Sequence, residues 1–515
     1  MLLNKIIKTT KLSISAIVLV VVLIGINYLS YRYFARLDLT ENKIYSISDA
    51  SKKIVGELED TVEIKAYFSV DLPSQFAYIR QETEDILNEY ENYGKGKIKF
   101  EFTSPDDSNQ TFNDLAMMGI YPIPFQIFEK DKAQAGQGYM ALVMNYKENE
   151  EAIPAVGQDT GDLEYRITAA IKKVTNDKII KVGFLSGAGT AILNEKLRYA
   201  GEMLSELYDV GEVVFTDEGL SPQVDTLIIA GPTEEFTEDQ FKNIDSFLTG
   251  GGSLLVLSDG VLVSQSLEAS LNNSNFNDLL NKYGIKINGD LVGDTRMGLI
   301  SYRQGNLPFS VVSNYPLWPK IMKDGFNENF GAVSNLENVI LPWVSSVSAD
   351  EEKIGKENIS YLIFTTEKAW HETDQFNVDP SIGISLAEGR YNLAVAVNNG
   401  LKSVYPEEGK EDDVISGRVV IVGDSDFVVD GFLMDNPQNL ILFQNLVDNL
   451  SMGNELTGIR AKNATVRPIN KGEELSDAKR NFIRYGNIFG ASTLVIIFGL
   501  GRYFARRRKK FEDDL

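Results

Sequence analysis

Arg418-Val419-Val420-Ile421-Val422-Gly423-Asp424-Ser425-Asp426-Phe427 is the stretch that decides the fold. Four β-branched residues in a row present no polar face, so they read as a strand buried on both sides, and Gly-Asp-Ser-Asp ends that strand in a tight turn. Downstream, Asn436-Pro437 supplies an N-cap and a proline for a first helical turn, and Leu440, Phe443, Leu446, Val447 and Leu450 recur at helical spacing. Upstream, Lys181-Val182-Gly183-Phe184-Leu185, Thr226-Leu227-Ile228-Ile229 and Leu254-Leu255-Val256-Leu257 have the same apolar character, with Val213-Val214-Phe215 as a further strand. Thr237-x-x-Gln240 is a capping box; the helix behind it carries Phe241, Ile244, Phe247 and Leu248 on one face and ends at Gly250-Gly251-Gly252. Apolar strands alternating with helices predict a parallel sheet covered on both faces, an α/β domain over 177–452. Within it, about 286–415 reads as a β-rich insertion, with strand-like pieces at Ile359–Phe364 and Tyr391–Val397 and an exposed acidic loop at Glu407, Glu408, Glu411, Asp412 and Asp413.

Residues 31–176 read as a juxtamembrane tether followed by a first domain. Ser48 is an N-cap; Val62, Ile64, Ala66 and Phe68 alternate as a strand; a helix runs from Leu72-Pro73-Ser74 through Tyr93; and Ile98, Phe100 and Phe102 mark a second strand. A short helix at Phe112–Met118, a strand after Pro124, a hairpin around Gly136 to Tyr146 and a helix from Asp162 to Val174 complete an order that resembles the thioredoxin fold, with Pro124 just before the third strand. Val70-Asp71-Leu72-Pro73-Ser74-Gln75 stands where a thioredoxin carries Cys-x-x-Cys. The chain has no cysteine, so thiol–disulfide exchange is excluded and the domain is expected to bind or to space.

Leu12–Leu29 and Gly486–Phe504 are apolar runs of membrane-spanning length, flanked by Lys5, Lys8 and Lys11 at one end and by Arg506-Arg507-Arg508-Lys509-Lys510 at the other. They predict transmembrane helices at 12–30 and 486–504, with cytoplasmic tails at 1–11 and 505–515 and a linker with a juxtamembrane helix at 453–485. The expectation is a protein anchored in the inner (cytoplasmic) membrane by two spans, both termini cytoplasmic, its ectodomain periplasmic. Gly486 and Gly490 form a G-x-x-x-G pattern and are the candidate partner-contact residues.

The chain of 515 residues is 43% hydrophobic, ordinary for folded domains, and its formal net charge is −23. Its two ends are basic, so the middle is more acidic still; such a surface repels nucleic acid, which is excluded as a partner. Zero cysteines and one histidine exclude a thiol nucleophile, a zinc-thiolate site and a His-rich metal site.

Ligands of open α/β sheets lie at the carboxyl ends of strands. Three such ends supply the candidate ligand-binding residues: Ser186, Gly187 and Gly189; Ser258 and Asp259; Asp424 and Asp426. If they converge, paired carboxylates there suit a hard cation or a polar ligand. The alternative is that the aspartates cap their turn and the glycines allow tight backbone. No residue is assigned as catalytic or as a metal ligand, and no cofactor is implied. Ile192 stands three positions after Gly189, so Gly187-Ala188-Gly189 is no dinucleotide fingerprint; no G-x-x-x-x-G-K-[ST] occurs either, which excludes a resident P-loop ATPase. His371, alone in Ala369-Trp370-His371-Glu372, reads as an ordinary exposed histidine, and a triad with Ser258 is only formally conceivable.

The chain resembles the GldG-like family of ABC-transporter auxiliary proteins, associated with gliding motility. The resemblance rests on Asp38-Leu39-Thr40-Glu41-Asn42-Lys43-Ile44-Tyr45-Ser46-Ile47-Ser48, on Val419–Phe427, on Val466-Arg467-Pro468-Ile469, and on the final apolar run with its basic tail. It implies a flavodoxin- or glutamine-amidotransferase-like fold related to the GIFT domain of intraflagellar transport, and an ABC ATPase and a multi-span permease as partners. Leu257-Ser258-Asp259-Gly260 stands at the amidotransferase elbow without a cysteine, so catalysis is not carried over. The expected function is a non-enzymatic auxiliary or substrate-binding component of an ABC transporter that handles an envelope substrate. An envelope hydrolase using the cleft carboxylates Asp259, Asp424 or Asp426, and a pure envelope scaffold, are the alternatives.

Overall fold

The computed structural model describes residues 46–453 apart from 71, 74–75, 106–107, 130–131, 158–159, 177–178, 265, 303–309, 382 and 407–414, together with 22, 459, 484–486, 489–490, 496 and 498–503. Residues Met1–Ala464 form one compact unit and Thr465–Leu515 a second. Within the first unit the architecture is mixed α/β.

The chain enters through α1 (Asp49–Gly56), where Ser48 Oγ accepts from the Ser51 N–H. It continues through β1 (Val62–Phe68), α2 (Ala77–Tyr93), β2 (Ile98–Thr103), α3 (Asn109–Met117), β3 (Ile123–Glu129), β4 (Lys132–Gly138), β5 (Met140–Tyr146), β6 (Asn149–Ile153) and α4 (Leu163–Thr175). The first sheet has the order β2-β1-β5-β6, with β1 and β2 parallel and the other pairs antiparallel. Val62, Ile64, Ala66 and Phe68 are buried, as their alternation requires. Pro124 does not introduce a strand of this sheet: it pairs with Gln137 in a separate β3–β4 hairpin, and the strand beside β1 is β5. β5, MALVMNY, is buried along almost its whole length, which suits it to the central place beside β1.

The second part runs through β7 (Lys181–Leu185), α5 (Arg198–Leu204), β8 (Asp209–Thr216), β9 (Gly219–Ser221), β10 (Thr226–Ala230), α6 (Glu238–Thr249) and β11 (Ser253–Leu257). An excursion follows: β12 (Val261–Val263), β13 (Ala269–Leu271), α7 (Phe276–Tyr283), β14 (Ile285–Ile287), β15 (Leu291–Gly293), β16 (Met297–Tyr302), β17 (Val311–Met322), α8 (Gly331–Ser334), β18 (Asn338–Ile340), β19 (Val347–Ala349) and α9 (Glu351–Ile354). The chain then forms β20 (Ile359–Phe364), β21 (Trp370–Glu372), β22 (Asn392–Val397), β23 (Val419–Val422), α10 (Asp430–Asp435) and α11 (Gln438–Met452).

The principal sheet has the order β20-β22-β23-β11-β10-β7-β8-β9. Its middle, from β23 to β8, is parallel, and β22, β20 and β9 extend it antiparallel. Two strands that the sequence places in the insertion, β20 and β22, therefore belong to this sheet. α11 covers one face with Leu442, Phe443, Leu446 and Val447, and the Phe443 ring lies 6.3 Å from that of Phe184. The other face is covered by α6 through Phe241, Ile244 and Leu248. α11 also carries a buried polar seam: Asp448 accepts from Tyr208 Oη at 2.7 Å and from Tyr165 Oη at 3.2 Å, which ties α4 of the first part to the core of the second.

The expected two-span, membrane-anchored architecture, and with it the inner-membrane location with a periplasmic ectodomain, is not what the structure supports. No helix among the described residues is long and apolar enough to cross a membrane. Crossing about 30 Å of hydrocarbon takes about 20 apolar residues. The longest described helix, α2, has 17 residues and carries Arg80, Glu82, Glu84, Asp85, Glu89 and Glu91, and α11, with 15, is spent on covering the sheet. Most of 12–30, and the parts of 486–504 not given above, lie outside the described residues.

Phe443→Ala removes a wholly buried ring between α11 and the sheet. It is expected to lower the free energy of unfolding by about 3–5 kcal/mol, measured by denaturant titration of the full chain; an unchanged midpoint would contradict this packing.

Candidate functional site

β11 and β23 are adjacent parallel strands, so their carboxyl ends lie side by side. The ladder runs to the Ser258 N–H, which donates to the Val422 carbonyl at 3.1 Å. Beyond it both chains turn under close cover. A Cβ on Gly260 would sit 1.9 Å from the Asn288 carbonyl oxygen, and one on Gly423 would sit 2.0 Å from that of Ser345, so only glycine fits at either position.

These turns bring three carboxylates together. Asp259 accepts the Ser425 N–H at 2.9 Å on Oδ1 and the Ser425 hydroxyl on Oδ2. Asp424 accepts the Asp426 and Phe427 N–H groups at 2.7 and 3.2 Å on Oδ1. Its Oδ2 is buried without a hydrogen-bond partner. Asp426 is partly exposed at the rim. One oxygen from each of the three lies within 4.8 Å of the others. Burial pushes Asp259 up to about 6, against the opposing pull of the Ser425 hydrogen bonds. Burial, then the charge of Asp259, pushes Asp426 up to about 7, partly offset by the Lys196 ammonium. Asp424, buried beside both, is held well above the usual carboxylate range.

Ser186, Gly187 and Gly189 are placed differently. They follow β7, where the sheet order reverses between β7 and β10. Gly187, Ala188 and Gly189 take positive φ of 125°, 52° and 72°, a turn that needs its glycines. The N–H groups of Thr233 and Glu234 donate to the Ala188 carbonyl at 3.3 and 3.1 Å, so backbone bonds bridge the crevice at the switch point. The structure thus joins Ser258, Asp259, Asp424 and Asp426 around one point, and joins the Ser186–Gly189 turn to the Thr233 loop instead. Gly486 and Gly490 are helical, and a Cβ on either would meet nothing within 4 Å.

His371 differs from its expected ordinary exposed setting. Strand β21 pairs with β15 so that His371 faces Val292, which carries it beside Asp290. Its Nδ1 lies 3.0 Å from Oδ2 of the buried Asp290, whose carboxylate also accepts the Ser346 N–H at 2.8 Å and the Ser346 hydroxyl at 2.6 Å. Its Nε2 lies 3.5 Å from Glu388, and its ring packs on Tyr391 in a cleft of about 460 Å³ that Lys286 and Arg390 also line. A carboxylate-oriented imidazole is half of an acid–base dyad, but the nearby hydroxyl of Ser346 donates to the carboxylate and not to the imidazole, so no nucleophile is aligned. The two partners are 81 residues apart and meet only through the pairing of two three-residue strands, a register that periodicity does not reveal.

Residues 180–455, more than half of the chain and nearly all of the principal-sheet part, match the family model described as an ABC-type uncharacterized transport system. The chain belongs to this family of ABC-transporter auxiliary proteins. Membership gives it an auxiliary role in transport, in partnership with an ABC transporter complex; the narrower GldG-like naming is not part of the match. Residues 41–145 match a domain of unknown function. An uncharacterized protein of Borreliella burgdorferi is 22% identical over 492 residues, covering 92% of this chain and 94% of that one. Among solved structures, the mmIFT52 N-terminal domain is similar at 16% identity and a TM-score of 0.35, covering 53% of this chain and 97% of its own. A putative ThuA-like protein from Bacteroides uniformis is similar at 11% identity and a TM-score of 0.28, covering 55% and 97%. Likenesses of this size assign no activity.

The raised carboxyls have a measurable consequence. A group with a folded-state pKa above its unfolded value favours folding while protonated, and this contribution is lost as pH rises through the folded pKa. In the presence of a chelator, the thermal stability of Asp426→Asn relative to the parent chain should therefore grow between pH 4 and about 7, the value to which Asp426 is raised, and level off above it. A flat difference across that range in thermal scans would contradict the electrostatics described.

Proposed function

We propose that this chain is a non-enzymatic binding subunit of its transport system, working with an ABC ATPase and a multi-span permease supplied by separate chains. The cargo class that the GldG-like resemblance suggests is an envelope component, handled in export or in gliding. Residues 31–176 would act as a spacing module and 177–452 as the cargo-handling module, with Ser258, Asp259, Asp424 and Asp426 as its polar end.

The observation that carries this reading is how the strand-end carboxylates are used. Asp259 and Asp424 spend oxygens on N–H groups of residues 425–427 and Asp259 on the Ser425 hydroxyl, and among the described residues no imidazole is hydrogen-bonded to either carboxylate or to that hydroxyl. A site wired into its own backbone is built to hold a shape rather than to shuttle protons. The lack of any nucleotide-binding motif in the sequence supports an ATPase in trans.

Affinity purification of the tagged full chain from its native cells, followed by mass spectrometry, is expected to recover an ABC ATPase and a polytopic permease in comparable amounts. Their absence under several mild extraction conditions, or ATP hydrolysis by the purified chain alone, would overturn the proposal.

A further inference from the structure

We infer that Asp259, Asp424 and Asp426 form a binding site for one hard divalent cation, of the calcium or magnesium class, at the joined ends of β11 and β23. The donor set is oxygen alone, with no sulfur or imidazole among the three, which selects hard cations over zinc or copper. The spacing suits a single ion. Oxygens no more than 4.8 Å apart lie within the span between opposite ligands of one calcium ion, about 4.6–5.2 Å.

What sets these three carboxylates apart from an ordinary acidic cluster is an unspent buried oxygen. Asp424 is wholly buried, its Oδ1 is fully used by two backbone N–H groups, and its Oδ2 accepts nothing. A buried carboxylate oxygen without a donor costs free energy unless a proton or a cation satisfies it. Among the described residues no lysine or arginine pairs with any of the three carboxylates, so no internal cation does so. Lys196 acts on Asp426 only at longer range. Asp259 and Asp424 are already oriented by Ser425 and by the turn at 426–427, so an ion would meet two fixed ligands. Asp426, partly exposed, stands at the entrance and leaves coordination positions open to water or to a carboxylate- or hydroxyl-bearing cargo.

The test uses the full chain, stripped with a chelator, desalted and titrated calorimetrically with calcium, magnesium and manganese chloride in 0.3 M sodium chloride to suppress diffuse binding to the acidic surface. One saturable site is expected for at least one ion, with an upward shift of Tm at saturation. Asp424→Asn, which keeps the Oδ1 acceptor of the turn, and Asp426→Asn should each weaken binding at least tenfold, while Asp239→Asn on the exposed start of α6 should leave it unchanged. If Asp424→Asn proves unfolded by circular dichroism, Asp426→Asn at the rim decides. Absence of a saturable site for all three ions, or equal affinity in the parent chain and Asp426→Asn, overturns the inference and leaves a shared proton as the occupant of the Asp424 oxygen. Neither result bears on whether an ATPase and a permease are recovered with the chain.

Discussion

The placement of Val419–Val422 between Leu254–Leu257 and Ala394–Val397 is the constraint on which the rest depends. All four residues are buried, so their backbone groups have no access to water and must be paired on both edges. That requirement makes one continuous sheet out of segments far apart in the chain. Because β11 and β23 are parallel, everything between them must leave at the carboxyl end of the sheet and cross back to re-enter at its amino end. The glycines at 260 and 423 lie just beyond the side-by-side carboxyl ends of the two strands, where the backbones of Asn288 and Ser345 press too closely for any side chain.

The same constraint explains why three like charges tolerate one another's company. Asp259 and Asp424 each receive two hydrogen bonds from residues 425–427. Hydrogen bonds to a charged group contribute about 1.5–3 kcal/mol each. Taking a carboxylate out of water costs several kcal/mol even after relaxation. Four such bonds therefore offset the desolvation of two buried ions only in part, and the remainder appears as carboxyls raised far above their ordinary range. The turn is held by its acceptors, and its acceptors are under electrostatic load.

Much of this was legible in the residues. VVIV, TLII and LLVL have no polar face and could only be interior strands, and the Thr237–Gln240 box forms both of its reciprocal bonds. Ser48 caps the first described helix. The convergence of Asp259 with Asp424 followed from reading both as strand ends; what stayed hidden was neighbourhood. Apolarity says that Ile359–Phe364 and Tyr391–Val397 are strand-like, but not that they extend the principal sheet, because edge and insertion strands have the same pattern. Asp290 and His371 meet through a register between short strands, which a two-residue period leaves open. The runs at 12–30 and 486–504 suggested spans because hydropathy measures length and apolarity alone, and the described helices do not combine the two.

The late position of β23 also shapes how the molecule is made. Strands β7 to β11 leave the ribosome well before β23, and the outer edge of Leu254–Leu257 then has no partner until about 160 more residues follow, on the order of 10–30 s at ordinary rates of synthesis. For that interval the nascent chain carries a bare, wholly apolar β-edge, the feature that recruits strands from other molecules. Completion of the sheet is thus a contest between translation and misassociation. Slowing elongation through the excursion would lengthen the exposure of an edge that the finished protein buries, and crowding many copies on one messenger would raise the chance that it meets a wrong partner.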